Sequence, residues 1–130
     1  MKRQKGFAIN GRPVGEDQPV FIIAEVGVNH NGSIEMAKKL IDVAKEAGAD
    51  AVKFQMCDPV EMVVKNAPKA AYQEKTAHGE SHYDMLKRLY FGVPEHKVLK
   101  AYAKKKGIIF FSTPFSIKDS RELAKLKMPA

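Results

Sequence analysis

Short apolar runs and longer amphipathic stretches alternate along this chain, and the order repeats three times. The first run, Val20 to Val26, is apolar on both faces until Glu25, as strands of a parallel sheet covered by helices are. A carboxylate at the end of such a strand is costly to bury unpaired, so Glu25 is either paired or functional. A Gly27–Gly32 turn follows, and Ser33 is a good N-cap. Ile34, Ala37, Leu40, Ile41 and Ala44 then recur at helical spacing until Gly48, which predicts a helix of about 14 residues with one apolar face.

The second run, Ala51 to Gln55, alternates, so Lys53 and Gln55 share one face while Val52 and Phe54 share the other. If Val52 and Phe54 pack under helices, Lys53 and Gln55 face the interior of whatever the strands enclose. The alternative is an edge strand with its polar face in water. Residues 56–80 carry the breakers Asp58-Pro59, Ala67-Pro68 and Gly79 and predict a long irregular connection, a kind that tends to lie over a site. Ser81 then caps a helix carrying Tyr83, Leu86, Leu89 and Tyr90. Pro94 opens a second, with Val98, Leu99, Tyr102 and Ala103 on one face and a stop at Gly107. The third apolar run, Ile108 to Thr113, places Ile109, Phe111 and Thr113 on one face and ends at Pro114. Ser116 or Asp119 caps a third helix over Ile117, Leu123 and Leu126, and a fourth strand would begin near Met128. Ahead of these units, Asn10-Gly11 between short alternating segments is a hairpin signature within residues 6–19.

Three strand–helix units predict an α/β fold, either half of a doubly wound sheet or part of a barrel. Both place the site at the C-terminal ends of the strands, where Glu25, Lys53, Gln55 and Thr113 fall. The turn after the first strand has no G-x-G-x-x-G, which favours the barrel. The expected organisation is an N-terminal hairpin or cap over residues 1–19, followed by the first three units of a TIM (β/α)8 barrel over 20–130.

Composition narrows the classes. The 130 residues, 45% hydrophobic, suffice for one domain at most. No run of about 18 apolar residues suggests a membrane span, and the basic N-terminus lacks the apolar region of a signal peptide. Cys57 stands alone, which fits a reducing compartment, so the cytoplasm is the expected location. The net charge of +7 comes from lysines spread over the expected helix surfaces, which favours a solvated surface over nucleic-acid binding. Lys104 to Lys106 precede Gly107, where cations complement the helix dipole.

Four stretches carry a resemblance. Ile22-Ile23-Ala24-Glu25-Val26-Gly27-Val28-Asn29-His30-Asn31-Gly32, Ala47-Gly48-Ala49-Asp50-Ala51-Val52-Lys53-Phe54-Gln55 and Phe111-Ser112-Thr113-Pro114-Phe115 look like signatures of the sialic acid synthases, and Glu80 to Leu86 resembles their bacterial branch, which makes legionaminic and pseudaminic acids. The resemblance runs from Phe21 to Ala130. It implies a TIM-barrel enzyme that condenses phosphoenolpyruvate with an open-chain N-acetylated hexose such as N-acetylmannosamine, giving a nine-carbon keto acid and phosphate. It further implies a divalent metal, manganese or magnesium, a C-terminal antifreeze-like domain and a homodimer. On this likeness Glu25 matches the carboxylate that orients or deprotonates the water attacking C2, Lys53 and Thr113 match phosphate contacts, and Gln55 matches a residue at the sugar. Asn29 lies in the motif loop without an assigned role.

The chemistry suits those residue types. A phosphorylated enolate needs fixed positive charge with a hydroxyl donor beside it, and a carboxylate can stabilise a cationic C2 and take the proton of the attacking water. On pattern alone Glu25 and Lys53 are equally an ion pair of structural value, and Thr113 is more often just a strand end. His30, beside Asn29 in a loop, reads as a hydrogen-bonding group rather than a metal ligand, and His30, His78, His82 and His96 show no metal-site spacing. The family's metal ligands and second half of the barrel lie beyond this chain, so the expectation is a fragment, inactive alone, with open sheet edges. Another phosphoenolpyruvate or aldol barrel enzyme, and a non-catalytic module that assembles through those edges, are the alternatives.

Overall fold

A computed structural model describes residues 6–63 and 79–129. The chain opens with an antiparallel hairpin, β1 (Gly6–Ile9) and β2 (Arg12–Gly15), with Phe7 opposite Val14. Its turn residues Asn10 and Gly11 both have positive φ, 50° and 82°, the geometry that a two-residue turn needs to match strand twist. The paired segment is shorter than the expected span of 6–19.

Three parallel strands follow in sequential order, β3 (Ile23–Gly27), β4 (Ala51–Met56) and β5 (Ile109–Pro114). Between and after them run α1 (Ile34–Glu46), α2 (Pro59–Met62), α3 (His82–Leu89), α4 (Val93–Lys106) and α5 (Ile117–Lys125). β3 begins at Ile23 rather than Val20, and the cause is Asp50. The Asp50 carboxylate accepts the Ile22 N–H at 2.7 Å, while the Ile22 carbonyl accepts the N–H groups of Asp50 and Ala51. Asp50 also pairs with Arg12, so one carboxylate joins the hairpin to the start of the sheet. Val20, apolar but outside the ladder, is 80% exposed.

The expected helices are capped as read. Ser33, Ser81 and Ser116 accept N–H bonds at the starts of α1, α3 and α5, and Gly107 ends α4 in the left-handed conformation. Within the connection read as irregular, Asp58 caps the short α2 by accepting the Val60 N–H. Residues 64–78, and with them most of that connection, lie outside the described residues. On α4 the buried stripe is His96, Leu99 and Ala103, whereas Val98 is half exposed. On α5 Leu123 is buried and Ile117 faces outward.

The two faces of the sheet differ. On one, Val26, Val52, Phe54 and Phe110 pack against Ala37, Ile41 and Ala44 of α1 and Leu99 and Ala103 of α4. β4 is paired on both sides, which sets aside the edge-strand alternative. On the opposite face the lower end is apolar: Ala51 and Phe111 pack on Ile9 of the hairpin, with Phe21 and Ile109 beside them. The upper end of that face carries Glu25, Lys53, Gln55 and Thr113 in adjacent registers. These are the layers of a barrel's opening units, with helices outside and a site at the strand C-termini.

Candidate active site

Parallel pairing sets Glu25 beside Lys53 and Gln55 beside Thr113. The Lys53 ammonium lies 2.7 Å from the Glu25 carboxylate and donates to the Thr113 hydroxyl at 3.0 Å, so one cation joins all three strands. The Glu25 and Lys53 side chains remain 48% and 33% exposed. This is no buried structural pair; in that setting such a bridge contributes little stability. An ammonium has three donors, and among the described residues two are used in this way.

Gly27 explains how Gln55 comes close. It sits at a β-bulge with φ of 55°, and a Cβ there would lie 3.3 Å from the Gln55 amide nitrogen and 3.7 Å from a Glu25 oxygen. A larger residue would be strained at that φ and would press on the Gln55 amide, while only touching Glu25. Glu25, Lys53, Gln55 and Thr113 thus occupy one surface.

The turn after β3 is held from beneath. Asn29 donates its side-chain amide to the Val26 carbonyl at 2.9 Å, tying it to its own turn. His30 is fully buried; its Nδ1 accepts the Gly32 N–H at 3.1 Å and its ring stacks on Phe91 at 3.8 Å. Burial, helped by the neighbouring His96, lowers its pKa to about 4, so the ring is neutral near pH 7. Its Nε2 has no hydrogen-bond partner among the described residues. The expectation that His30 is a hydrogen-bonding group of the loop therefore holds.

Sequence reasoning weighed His96 only as a metal ligand and did not read its packing role. Its ring nitrogens bond to the Gly92 carbonyl at 2.8 Å and the Ser112 hydroxyl at 2.7 Å, which fixes α4 to β5 behind Thr113. Burial lowers its pKa too, against the opposing effect of the Gly92 bond. Its spacing from Leu99 and Ala103 was the available signal. Also unforeseen, Asp58 pairs with Lys118 at 2.7 Å, a bond that lowers the carboxyl pKa and ties the end of β4 to α5. His82 lines a cavity of about 580 Å³ beside Gln55 and Asn29, and His78 lies outside the described residues. Among the described residues no three His, Cys, Asp or Glu side chains are placed to hold a metal ion. No helix among them is long and apolar enough to cross a membrane.

Comparison with known proteins supplies the context for this geometry. Residues 40–130 match the model of the NeuB family. An N,N'-diacetyllegionaminic acid synthase of Legionella pneumophila is 43% identical over 94% of this chain and 36% of its own length, and one from Campylobacter jejuni is 48% identical over 74% of this chain and 29% of its own. The crystal structure of N-acetylneuraminic acid (sialic acid) synthetase from Leptospira borgpetersenii, in complex with citrate, superposes with a TM-score of 0.72 at 32% identity, over 93% of this chain and 38% of that one. The chain spans about a third of the length of these relatives.

Proposed function

The chain belongs to the NeuB family, and from that premise we propose that it forms the first part of a synthase that condenses phosphoenolpyruvate with an N-acetylated hexose to a nonulosonic acid and phosphate. The relatives are named as synthases of legionaminic and N-acetylneuraminic acids, which supports the reading. The observation that carries the reading is the Lys53 ammonium, bridging Glu25 and Thr113 on an accessible face beside Gln55.

In this reading Lys53 and the Thr113 hydroxyl bind the phosphate of phosphoenolpyruvate and hold C3 toward the sugar aldehyde. Gln55 orients the sugar. After C3 attacks the aldehyde carbon, positive charge develops at C2, and Glu25 lies on the same surface to stabilise it and to take a proton from the water that adds there. A divalent metal, manganese or magnesium, belongs to the proposal and would supply a Lewis acid for the aldehyde when bound. The described residues contain no cluster that fits it, so every step above is assigned to this chain's own side chains. A cytoplasmic homodimer completes the reading. Cys57 is half-buried, and burial with Asp119 and Asp58 pushes its thiol up to about 11, which keeps it protonated and unreactive.

Lys53→Ala in the complete synthase should lower kcat/KM by at least about 1,000-fold. Phosphate release from phosphoenolpyruvate with N-acetylmannosamine or a related acetamido hexose measures it, and turnover within tenfold of the parent would sink the assignment.

A further inference from the structure

The helix-covered face of β5 departs from the pattern that the other two strands keep. Flanking Glu25 and Lys53, the residues turned toward the helices are Ala24, Val26, Val52 and Phe54, all apolar. β5 instead places Ser112 beside its site residue, 6% exposed, with the fully buried His96 of α4 against it. Buried polar groups are costly unless paired, and an apolar pair of the same shape would serve packing about as well.

The hydrogen bonds of this pair run in one direction. The Gly92 carbonyl only accepts, so the ring nitrogen 2.8 Å from it, Nδ1, carries the hydrogen. Burial keeps the ring neutral near pH 7, so Nε2 presents a lone pair and accepts the Ser112 hydroxyl at 2.7 Å. The Phe110 ring meets the imidazole edge-on at 6.0 Å, which fixes its plane.

Ser112 is thereby held on the helix side, and the next residue faces the site. Thr113 is β-branched and has few side-chain rotamers, so its hydroxyl follows the backbone. It accepts from Lys53 at 3.0 Å, and a shift of about 0.5 Å would take that contact out of good hydrogen-bonding range. We propose that His96 and Ser112 are positioning residues, whose bond across the helix–sheet boundary sets the Thr113 hydroxyl for the phosphate of phosphoenolpyruvate. Both act through Thr113. The inference rests on the role proposed above for Thr113 and adds two residues behind it.

A double-mutant cycle on the complete synthase tests this, with KM for phosphoenolpyruvate read from phosphate release at saturating acetamido hexose. Ser112→Ala removes the donor, and His96→Asn removes the acceptor while keeping an amide N–H for Gly92. Each should raise KM about tenfold with kcat within about threefold of the parent, because Thr113 holds the phosphate alike before and during the reaction. Thr113→Val should raise KM at least as much, and adding Ser112→Ala to it should change KM by less than about twofold. Losses that multiply would place the effect of Ser112 elsewhere and overturn the inference, as would an unchanged KM in Ser112→Ala. His96→Asn goes through the same cycle with the same outcomes, and decides the matter if Ser112→Ala fails to fold. An unchanged KM in Thr113→Val overturns the phosphate role itself, whereas a raised KM there and none in Ser112→Ala overturns the positioning alone.

Discussion

The two faces of the parallel sheet use the same backbone for opposite purposes. The helix-covered face is closed: Val52 and Phe54 have no exposure at all and meet side chains from α1 and α4. The inner face is closed only at its lower end, where Ile9 of the hairpin packs on Ala51 and Phe111. Two to four residues further along the same strands, Lys53, Gln55 and Thr113 stay partly accessible. Stability is therefore concentrated where period-two alternation points outward to the helices, and chemistry where it points inward above the plug. The division is testable by substitutions that leave the backbone alone.

The largest effect is expected on the closed face. Phe54 packs on Phe110 at 5.2 Å between ring centres and lies near His30 at 6.0 Å. Phe54→Ala should cost about 3–5 kcal/mol through lost burial and the cavity left behind. Its urea midpoint should fall far more than that of Lys53→Ala, although both residues lie on β4; equal losses would erase the distinction between the faces.

How much of this was legible follows from how local each signal is. Asn10-Gly11, the serine caps and the alternation at Lys53 and Gln55 are encoded within a few residues, and each appears in the structure. The first strand's start was not local, because Asp50, 28 residues away, captures the Ile22 N–H and leaves Val20 in water. The packing role of His96 was missed because it depends on Ser112, 16 residues on and across the helix–sheet boundary. The cavity beside Gln55 draws its walls from three separate connections, so no single window of sequence displays it. The fold was readable from pattern, whereas the site was readable only as a set of strand ends until the register placed Lys53 between Glu25 and Thr113.

A pH titration probes the seam between the faces, where His30 is buried under the turn that leads from β3 to the cavity. Its folded pKa, about 4, lies below the unfolded value near 6.5, so the unfolded chain binds the proton first. Stability from this group is complete above pH 6.5 and is lost as pH falls toward 4, by up to about 3 kcal/mol. His96, whose pKa is also lowered, adds a loss of the same sign. His30→Phe keeps an aromatic ring against Phe91 and should flatten the slope of the urea midpoint between pH 6.5 and 4, at the cost of the bond to Gly32. A slope unchanged in that variant would assign the acid sensitivity elsewhere.

The smallest effect on stability is expected at the centre of the candidate site. Glu25 and Lys53 touch at 2.7 Å, as close as Asp58 and Lys118. Their exposure limits what the contact contributes: solvent screens the attraction, and holding two long side chains together costs entropy. Glu25→Gln keeps the shape, leaves Lys53 bonded to Thr113, and should shift stability by no more than about 1 kcal/mol. The same change removes the only carboxylate among Glu25, Lys53, Gln55 and Thr113, so the complete synthase should lose activity by about 100-fold or more. If the stability loss instead approached that of Phe54→Ala while turnover persisted, the ion pair would be a fastener, and the inner face would differ from the outer one only in how its core is built.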